Sequence, residues 1–147
     1  MNLFELAATE EILSRMEGIK AATPPSWGKM NAAQMMAHCQ APFKAYFGEI
    51  KMKRGLVGIL FGKMVKKKLF SNKPWPQGLP TDKRFMVREE KDFEAEKQKL
   101  VAYIRHFAEE GYTITTCVHP YFGKMSSQEW AVLGYKHLDH HLKQFGV

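Results

Sequence analysis

The C-terminal stretch of the chain predicts an amphipathic helix whose apolar face carries histidines. Ser126, followed three residues later by Glu129, has the form of a capping box, so we expect a helix to begin there. At about 100° per residue, His137 and His141 fall on the arc that holds the apolar residues of this stretch. That arc contains Trp130, Gly134, Leu138 and Phe145. The two histidines are therefore expected to point into the protein interior.

Two inward-facing imidazoles one helical turn apart form half of a metal site, because neutral imidazole is a common ligand of divalent metals. His140 lies about 60° to the other side of His137, at the edge of the buried face. The pair His137 and His141 is therefore preferred to His137 with His140. The alternative is a pair of core histidines whose ring nitrogens hydrogen-bond to carbonyl or hydroxyl groups. A third histidine nearby would distinguish the two.

A second capped helix supplies a candidate third histidine. Asn31 is followed three residues later by a glutamine, which again has the form of a capping box, and His38 comes seven residues after this cap. Residues 27–31 (WGKMN) repeat the pattern of residues 122–126 (FGKMS), so each copy opens a helix that carries histidine. Pro42 lacks the N–H that would bond to the His38 carbonyl, so we expect a bend after His38.

The heights of the histidines along their helices restrict how the two helices can run. At 1.5 Å per residue, His38 lies about 10 Å into its helix, whereas His137 and His141 lie about 16 and 22 Å beyond Ser126. If the helices are antiparallel the three histidines share a level, and if they are parallel they miss by roughly 9 Å. A three-histidine site therefore requires an antiparallel pair.

Two further long helices are predicted, which makes the fold all-α. Apolar residues at mostly helical intervals over residues 2–21 indicate the first helix of a bundle. A second apolar stripe runs from about residue 88 to residue 110, and Gly111 is expected to end that helix. With the two histidine-bearing helices, these give four long helices.

Two connecting segments are predicted between the helices. Residues 71–81 contain three prolines and predict a loop, a candidate lid for which Trp75 is the natural anchor. Residues 112–121 are too short for more than a strand-like connector. His106 is expected to be exposed, and His119 is expected to lie in a loop.

The net charge of +7 belongs to one segment of the chain. Between residues 50 and 80 there are eight basic residues and no acidic one, which leaves 14 basic against 15 acidic residues elsewhere. The eight are Lys51, Lys53, Arg54, Lys63, Lys66, Lys67, Lys68 and Lys73. The positive charge therefore says little about the partners of the domain as a whole.

Residues 51–73 interleave these lysines with apolar residues and three glycines. Such a segment can lie on an anionic membrane surface or on a phosphate backbone. We favour a crossover between bundle helices that covers one end of the core and keeps its lysines in water. Nucleic acid is disfavoured because no aromatic stacking platform accompanies the lysines. Apolar residues exposed here could also form a homodimer interface.

The length and composition predict a single domain over residues 1–147, because 45% hydrophobic and 12% aromatic residues suffice for a packed core. No signal peptide is expected, and no apolar run approaches the ~20 residues of a membrane span. Two cysteines, Cys39 and Cys117, are too few for a disulfide framework. A reduced, cytoplasmic setting is therefore expected, with Cys39 as core filler.

Four long helices, with a histidine in the second and H-x-x-x-H in the last, resemble the DinB/YfiT-like superfamily of metal-binding helical bundles. Within it, WGKM and MMAH at residues 27–38, and the stretch from HP at 119–120 through FGKMSSQEW to KHLDHHLKQFGV, are similar to a DinB-related family without an assigned function. The resemblance covers nearly the whole chain. It implies an up-down-down-up four-helix bundle whose second and last helices are antiparallel. It also implies a divalent metal, zinc or nickel, held by His38, His137 and His141.

The resemblance also implies a class of enzymatic function. Members of that superfamily include thiol-dependent transferases, a maleylpyruvate isomerase that uses a low-molecular-weight thiol, and enzymes assigned as hydrolases. It therefore implies a metal-dependent hydrolase or thiol-dependent transferase that acts on a small molecule. Three histidines leave a coordination position open for water or a substrate thiolate, as catalytic sites do. Glu49 and Tyr46 follow His38 on partly matching faces, but neither is selected as general acid or base, so the catalytic residues stay unassigned.

Two other hypotheses remain open at the level of sequence. One is a non-catalytic bundle whose basic segment, residues 51–73, binds an anionic membrane or nucleic acid. The other is a bundle that retains histidines but neither binds metal nor catalyses a reaction.

Overall fold

The structure is a computed structural model that describes residues 1–50, 56–71, 73–79, 85–112, 118–119 and 121–147. These residues are mostly helical, which confirms the all-α class. The helices are α1 (Leu6–Glu17), α2 (Ala32–Cys39), α3 (Ala41–Tyr46), α4 (Leu56–Leu69), α5 (Phe93–Glu110) and α6 (Ser127–Gln144). A small antiparallel sheet pairs β1 (Val118–His119) with β2 (Gly123–Lys124). The first of these strands lies within the strand-like connector predicted for residues 112–121.

Both predicted capping boxes are present. The Asn31 side chain accepts from the Gln34 N–H at 2.8 Å, and the Gln34 side chain accepts from the Asn31 N–H at 3.1 Å. At α6 the Ser126 hydroxyl accepts from the Glu129 N–H at 3.2 Å, and the Glu129 carboxylate accepts from the Ser126 N–H at 3.0 Å. Each pair satisfies two N–H groups that a helix start otherwise leaves without partners.

The two copies of the five-residue repeat, residues 27–31 and 122–126, have the same backbone conformation at their glycine. Gly28 and Gly123 occupy equivalent places in the two copies, and their φ angles are +83° and +73°. Only glycine adopts this left-handed region readily. Both histidine-bearing helices are therefore entered through the same kind of glycine turn followed by a capping box.

The predicted interruption after His38 is also present. α2 ends at Cys39, and α3 begins at Ala41 with Pro42 in its first turn. Because proline offers no N–H to the His38 carbonyl, the helix cannot continue through this point. His38 is thus placed in the last turn of a short helix.

The first helix, Leu6–Glu17, is shorter than the predicted range 2–21, and at its start the backbone bonds to other groups. The Leu3 N–H donates to the Ala131 carbonyl of α6 at 3.2 Å. The Asn2 side chain accepts from the Phe4 N–H at 2.9 Å. The first bond holds the segment before α1 on α6, and the second forms a local turn outside the helix.

The helix predicted from about residue 88 begins later, at Phe93. The Asp92 carboxylate accepts from the Ala95 N–H at 2.7 Å and caps it. Upstream, the Gln34 side chain of α2 donates to the Glu89 carbonyl at 3.3 Å, which holds this segment outside the helix. The end at Glu110, followed by Gly111, is as predicted.

The core lies among α1, α2, α5 and α6: α2 packs against α5, and α1 packs against both α6 and α5. Its largest fully buried side chains include Leu3, Ile12, Met16, Met35, Met36, Tyr46, Leu100, Ile104, Phe107, Leu138 and Leu142. Each such burial contributes roughly 1.5–3 kcal/mol. Cys39 is also fully buried, as expected of core filler.

The described side chains of α4 that contact the rest of the molecule lie on one side of the helix. Phe70, just after it, packs edge-on against Phe122 with ring centroids 6.0 Å apart, so this end covers the core as expected. Leu60, Phe61 and Met64 are instead 73%, 52% and 68% exposed, so these three side chains do not cover the core.

Part of the basic segment, Lys51, Lys53 and Arg54, lies outside the described residues, as does Cys117. Within the ranges that the structure describes, no helix combines the length and the apolar character needed to cross a bilayer.

Candidate metal centre

The structure brings His38 of α2 together with His137 and His141 of α6. One ligand atom from each ring can be chosen so that all three lie within 4.8 Å of one another. The Nε2 atoms of His38 and His137 are 3.1 Å apart. The ring centroids are separated by 5.0 Å for His38 and His137, 4.8 Å for His38 and His141, and 4.7 Å for His137 and His141. The predicted convergence of the three rings is therefore present.

A backbone carbonyl fixes which nitrogen of His38 faces the other rings. His38 Nδ1 lies 3.0 Å from the Phe85 carbonyl oxygen. Because a carbonyl only accepts, Nδ1 carries the proton in the neutral ring and Nε2 keeps its lone pair. His38 Nε2 lies 3.1 Å from His137 Nε2, so its lone pair faces the centre of the cluster and can accept a hydrogen bond from His137.

A glutamine does the same for His141. His141 Nδ1 lies 2.8 Å from Gln144 Oε1. The amide orientation is set by its other end, because Gln144 Nε2 donates to the Trp27 carbonyl at 2.5 Å. His141 Nδ1 therefore donates, and its Nε2 lone pair is left for a ligand.

Gly28 permits this arrangement. Its φ of +83° would strain any other residue, and a Cβ placed there would lie 2.5 Å from Gln144 Nε2. The Trp27–Gly28 turn therefore comes close to Gln144 because residue 28 has no side chain. This gives the first copy of the five-residue repeat a role in orienting His141.

Burial keeps the three rings neutral near pH 7. Burial lowers the pKa of His38, and the hydrogen bond to Phe85 offsets part of that shift. Burial, followed by the nearby histidines, holds the pKa of His137 well below its ordinary value. Burial also lowers the pKa of His141 to about 3. Only a neutral imidazole can bind a metal, so the cluster does not have to lose protons first.

Two tryptophans and His140 form an aromatic wall beside the cluster. The Trp75 ring lies 6.1 Å from His137 and 5.9 Å from His140, and the Trp27 ring lies 5.8 Å from His140. His140 is half-buried and is not among the three converging ligands, which agrees with its predicted place at the edge of the face.

Hydrogen bonds anchor the loop that carries Trp75 to both α4 and α6. Trp75 Nε1 donates to the Leu69 carbonyl at 2.9 Å, at the end of α4. Lys136, next to His137 in α6, donates to the Ser71 carbonyl and, at 3.1 Å, to the Lys73 carbonyl. Trp75 is thus the anchor that the sequence predicted, and it covers one side of the cluster.

The remaining histidines lie outside the cluster. His119 is in β1 rather than in a loop, stacks on Phe122 with centroids 4.3 Å apart, and accepts from the Tyr121 and Phe122 N–H groups at 3.2 and 3.3 Å. Burial, followed by the charge of Lys66, lowers the pKa of His119 to about 4. The His106 side chain is 49% exposed, as predicted.

The two side chains considered as general acid or base bind elsewhere. The Tyr46 hydroxyl is buried and donates to the Gly111 carbonyl. The Glu49 carboxylate accepts from the Tyr103 hydroxyl at 2.7 Å. Asp139, on the far side of α6, binds Arg15 at 2.9 Å and Lys143 at 2.8 Å. None of these four contacts involves the histidine cluster.

Sequence reasoning missed the partners that orient the ligands. Gln144 follows His141 by three residues, a spacing at which helical side chains meet, so this partner carried a readable signal. Phe85 contributes only a carbonyl and lies 47 residues from His38 along the chain, so no side-chain pattern could indicate it.

The residues present fit a divalent metal. Two nitrogens bound to one tetrahedral zinc at ~2.0–2.1 Å each are about 3.3 Å apart, close to the observed 3.1 Å between His38 and His137. At least two of the three rings have a fixed tautomer that turns Nε2 inward. The same 3.1 Å also lets the inward nitrogens of His38 and His137 hydrogen-bond to each other, as two core histidines would.

A family model described as the DinB superfamily matches residues 4–145 of the chain. Searches of curated proteins and of solved structures gave no significant match. The match includes all three converging histidines and both capping boxes.

Proposed function

The chain belongs to the DinB superfamily, and from this premise we propose that it is a metal-dependent enzyme acting on a small molecule by hydrolysis or by thiol-dependent transfer. The observation that carries the proposal is the convergence of His38, His137 and His141, with ligand atoms within 4.8 Å of one another. Three histidines leave one or more coordination positions for a reactant, which is the arrangement of catalytic sites.

The proposal includes an up-down-down-up four-helix bundle. Its long members are α1, α2 with α3, α5 and α6, and α4 forms the crossover. The contact between His38 and the two histidines of α6 supports an antiparallel α2 and α6, because parallel helices would separate them by roughly 9 Å. The family match over residues 4–145 supports a single domain over residues 1–147.

His38, His137 and His141 would hold the metal through their inward nitrogens. When bound, a divalent metal acts as a Lewis acid that activates water or a thiol as a nucleophile near neutral pH. Zinc and nickel are both compatible with imidazole ligands. Phe85 and Gln144 keep two of the rings in the required tautomer.

The surroundings of the cluster favour a small, partly apolar reactant. Trp75 and Trp27 offer aromatic faces beside His137 and His140, which can hold a reactant and exclude water. Cys39 does not supply the thiol of a transfer reaction, because it is fully buried and burial raises the pKa of its thiol. We therefore propose that any reacting thiol enters with a substrate. Cytoplasmic localisation stays a prediction.

Metal content tests the proposal. Full-length protein reconstituted with zinc or nickel and freed of excess metal should retain about one ion per chain. His38→Ala, His137→Ala and His141→Ala should each retain far less. His106→Ala is the matched control, because His106 is exposed and lies on α5, and it should retain the wild-type amount. Equal metal content in all five proteins would overturn the proposal.

A further inference from the structure

The outward face of α4 exposes a row of large apolar side chains. Leu60 is 73% exposed, Met64 68%, Phe61 52% and Val65 37%. At about 100° per residue they fall within one arc of roughly 140° on the helix. Scattered single exposures are ordinary on a protein surface, but four large apolar side chains on one side of a helix indicate a contact surface.

Lysines border and interrupt this arc. With Leu60 as zero, Lys67 and Lys63 lie about 20° and 60° to one side, and Lys68 falls near 80°, between Met64 and Phe61. All three lysines are exposed, and no acidic residue occurs between residues 50 and 80. The outward face is therefore both apolar and uniformly positive.

Contacts on the opposite side keep this face directed outward. Lys66 pairs with Glu129 at the start of α6 at 2.5 Å. Gly58 and Gly62 are buried, and Phe70 packs on Phe122. α4 is thus held to the β2 and α6 region by its other face and does not need to turn the apolar arc inward.

We propose that the outward face of α4 docks on an anionic lipid membrane surface. A helix lying in the interface plane inserts its apolar side chains at the headgroup boundary, while its lysines pair with anionic headgroups. Long lysine side chains can reach the headgroups while their aliphatic parts stay at the apolar boundary. This proposal does not depend on metal binding or catalysis.

The same face suits the other candidate occupants less well. In a symmetric dimer, Lys63, Lys67 and Lys68 of one copy would approach their own equivalents, and like charges repel. On nucleic acid the lysines would find phosphates, but Leu60 and Met64 would gain no apolar partner. Of these three occupants, the anionic membrane is the one that satisfies the charge and the apolar arc together.

Docking would place the membrane near the histidine cluster. The end of α4 accepts the Trp75 indole N–H through the Leu69 carbonyl, and Trp75 lies beside His137. The loop that covers the candidate metal centre is therefore tied to the helix that meets the lipid.

Flotation with phospholipid vesicles tests the proposal. Full-length protein should bind vesicles of 30% phosphatidylserine in phosphatidylcholine at low salt, and binding should weaken as salt rises. Lys63→Gln/Lys67→Gln should lower the partition coefficient about 25-fold, at roughly fivefold per lysine. Leu60→Ser/Met64→Ser should lower it as well, because the apolar contribution is lost.

Lys20→Gln/Lys29→Gln is the matched control, since both lysines are exposed and lie outside α4. It should bind vesicles like the wild type, and circular dichroism should show that every variant is folded. Absence of binding to anionic vesicles at low salt would overturn the proposal, as would equal binding to pure phosphatidylcholine. A dimer abolished by Leu60→Ser/Met64→Ser without vesicle binding would assign the face to a second copy. Lysine-dependent binding of a DNA duplex without vesicle binding would assign it to nucleic acid, and either result overturns the proposal.

Discussion

α6 and α4 each carry basic residues on an apolar face, but those of α6 point into the protein and those of α4 point to solvent. In α6, His137 and His141 turn inward, are kept neutral by burial and lie within one cluster with His38. In α4, Lys63 and Lys67 turn outward beside exposed Leu60 and Met64. Histidine can enter a core because its neutral form needs no counter-ion, whereas lysine stays at the surface. The same helical periodicity can therefore build an internal site or an external surface.

The largest expected difference between the two helices is in metal-linked stability. Zinc at about 1,000 times its dissociation constant should raise the free energy of unfolding of the wild-type protein by about 4 kcal/mol. His38→Ala should lose this increment, and Lys63→Gln/Lys67→Gln should keep it. Urea unfolding with and without zinc measures both. An equal zinc increment in His38→Ala would show that zinc does not bind through His38.

Lowering the pH should reduce the free energy of unfolding through the buried His119. His119 binds a proton at its ordinary pKa of 6.5 when unfolded but only near 4 when folded. Its contribution to stability is therefore complete above about pH 6.5 and is lost as the pH falls towards 4, by about 3 kcal/mol.

His119→Asn tests that contribution, because asparagine does not titrate and keeps an acceptor for the Tyr121 and Phe122 N–H groups. The free energy of unfolding of this variant, measured by urea from pH 7.5 to 4, should fall less steeply than that of the wild type. Parallel curves would show that His119 takes up its proton equally well in both states.

Loss of the Gln144 amide should weaken the metal site without removing a ligand. Gln144→Leu leaves His141 Nδ1 without its acceptor, and second-shell losses of this kind cost about 10–100-fold in metal affinity. Competition with a chromophoric chelator measures the affinity. Gln128→Leu, at an exposed position of α6, is the matched control and should bind zinc like the wild type.

The tautomer of His141 gives a second measurement of the Gln144 effect. In metal-free wild-type protein, ¹⁵N shifts of the ring should show the proton on Nδ1, and Gln144→Leu should lose this preference. Gln144→Glu keeps an acceptor and should restore it. A wild-type ring with its proton on Nε2 would contradict the orientation of the site.

The smallest expected effect concerns the helix start of α6. Ser126→Ala removes the cap that accepts from the Glu129 N–H and should cost about 1 kcal/mol in the free energy of unfolding. Lys63→Gln/Lys67→Gln, at exposed positions of α4, should change it by no more than about 0.5 kcal/mol. Urea midpoints order the two variants, and a larger effect in α4 than at the cap would reverse the comparison.

Local features of the fold could be predicted because they depend on neighbours along the chain. The Asn31 and Ser126 capping boxes, the break at Pro42 and the pairing of His137 with His141 all follow from spacings of three or four residues. The level shared with His38 followed from helix rise once an antiparallel pair was assumed.

Features that depend on distant chain segments could not be predicted in the same way. α1 begins later than predicted because Leu3 bonds to Ala131, which is far away in sequence. The Phe85 carbonyl has no signature in the side-chain pattern. For α4, periodicity indicated an apolar face, but it could not tell whether Leu60 and Met64 meet the core or solvent.

X-ray absorption spectroscopy of the zinc-loaded, full-length protein counts the ligands of the proposed metal centre. We expect three imidazole nitrogens at ~2.0–2.1 Å in the wild type, and two in any species of His38→Ala that still holds zinc. A zinc shell with no more than one imidazole, or one unchanged in His38→Ala, would contradict a metal centre built from His38, His137 and His141.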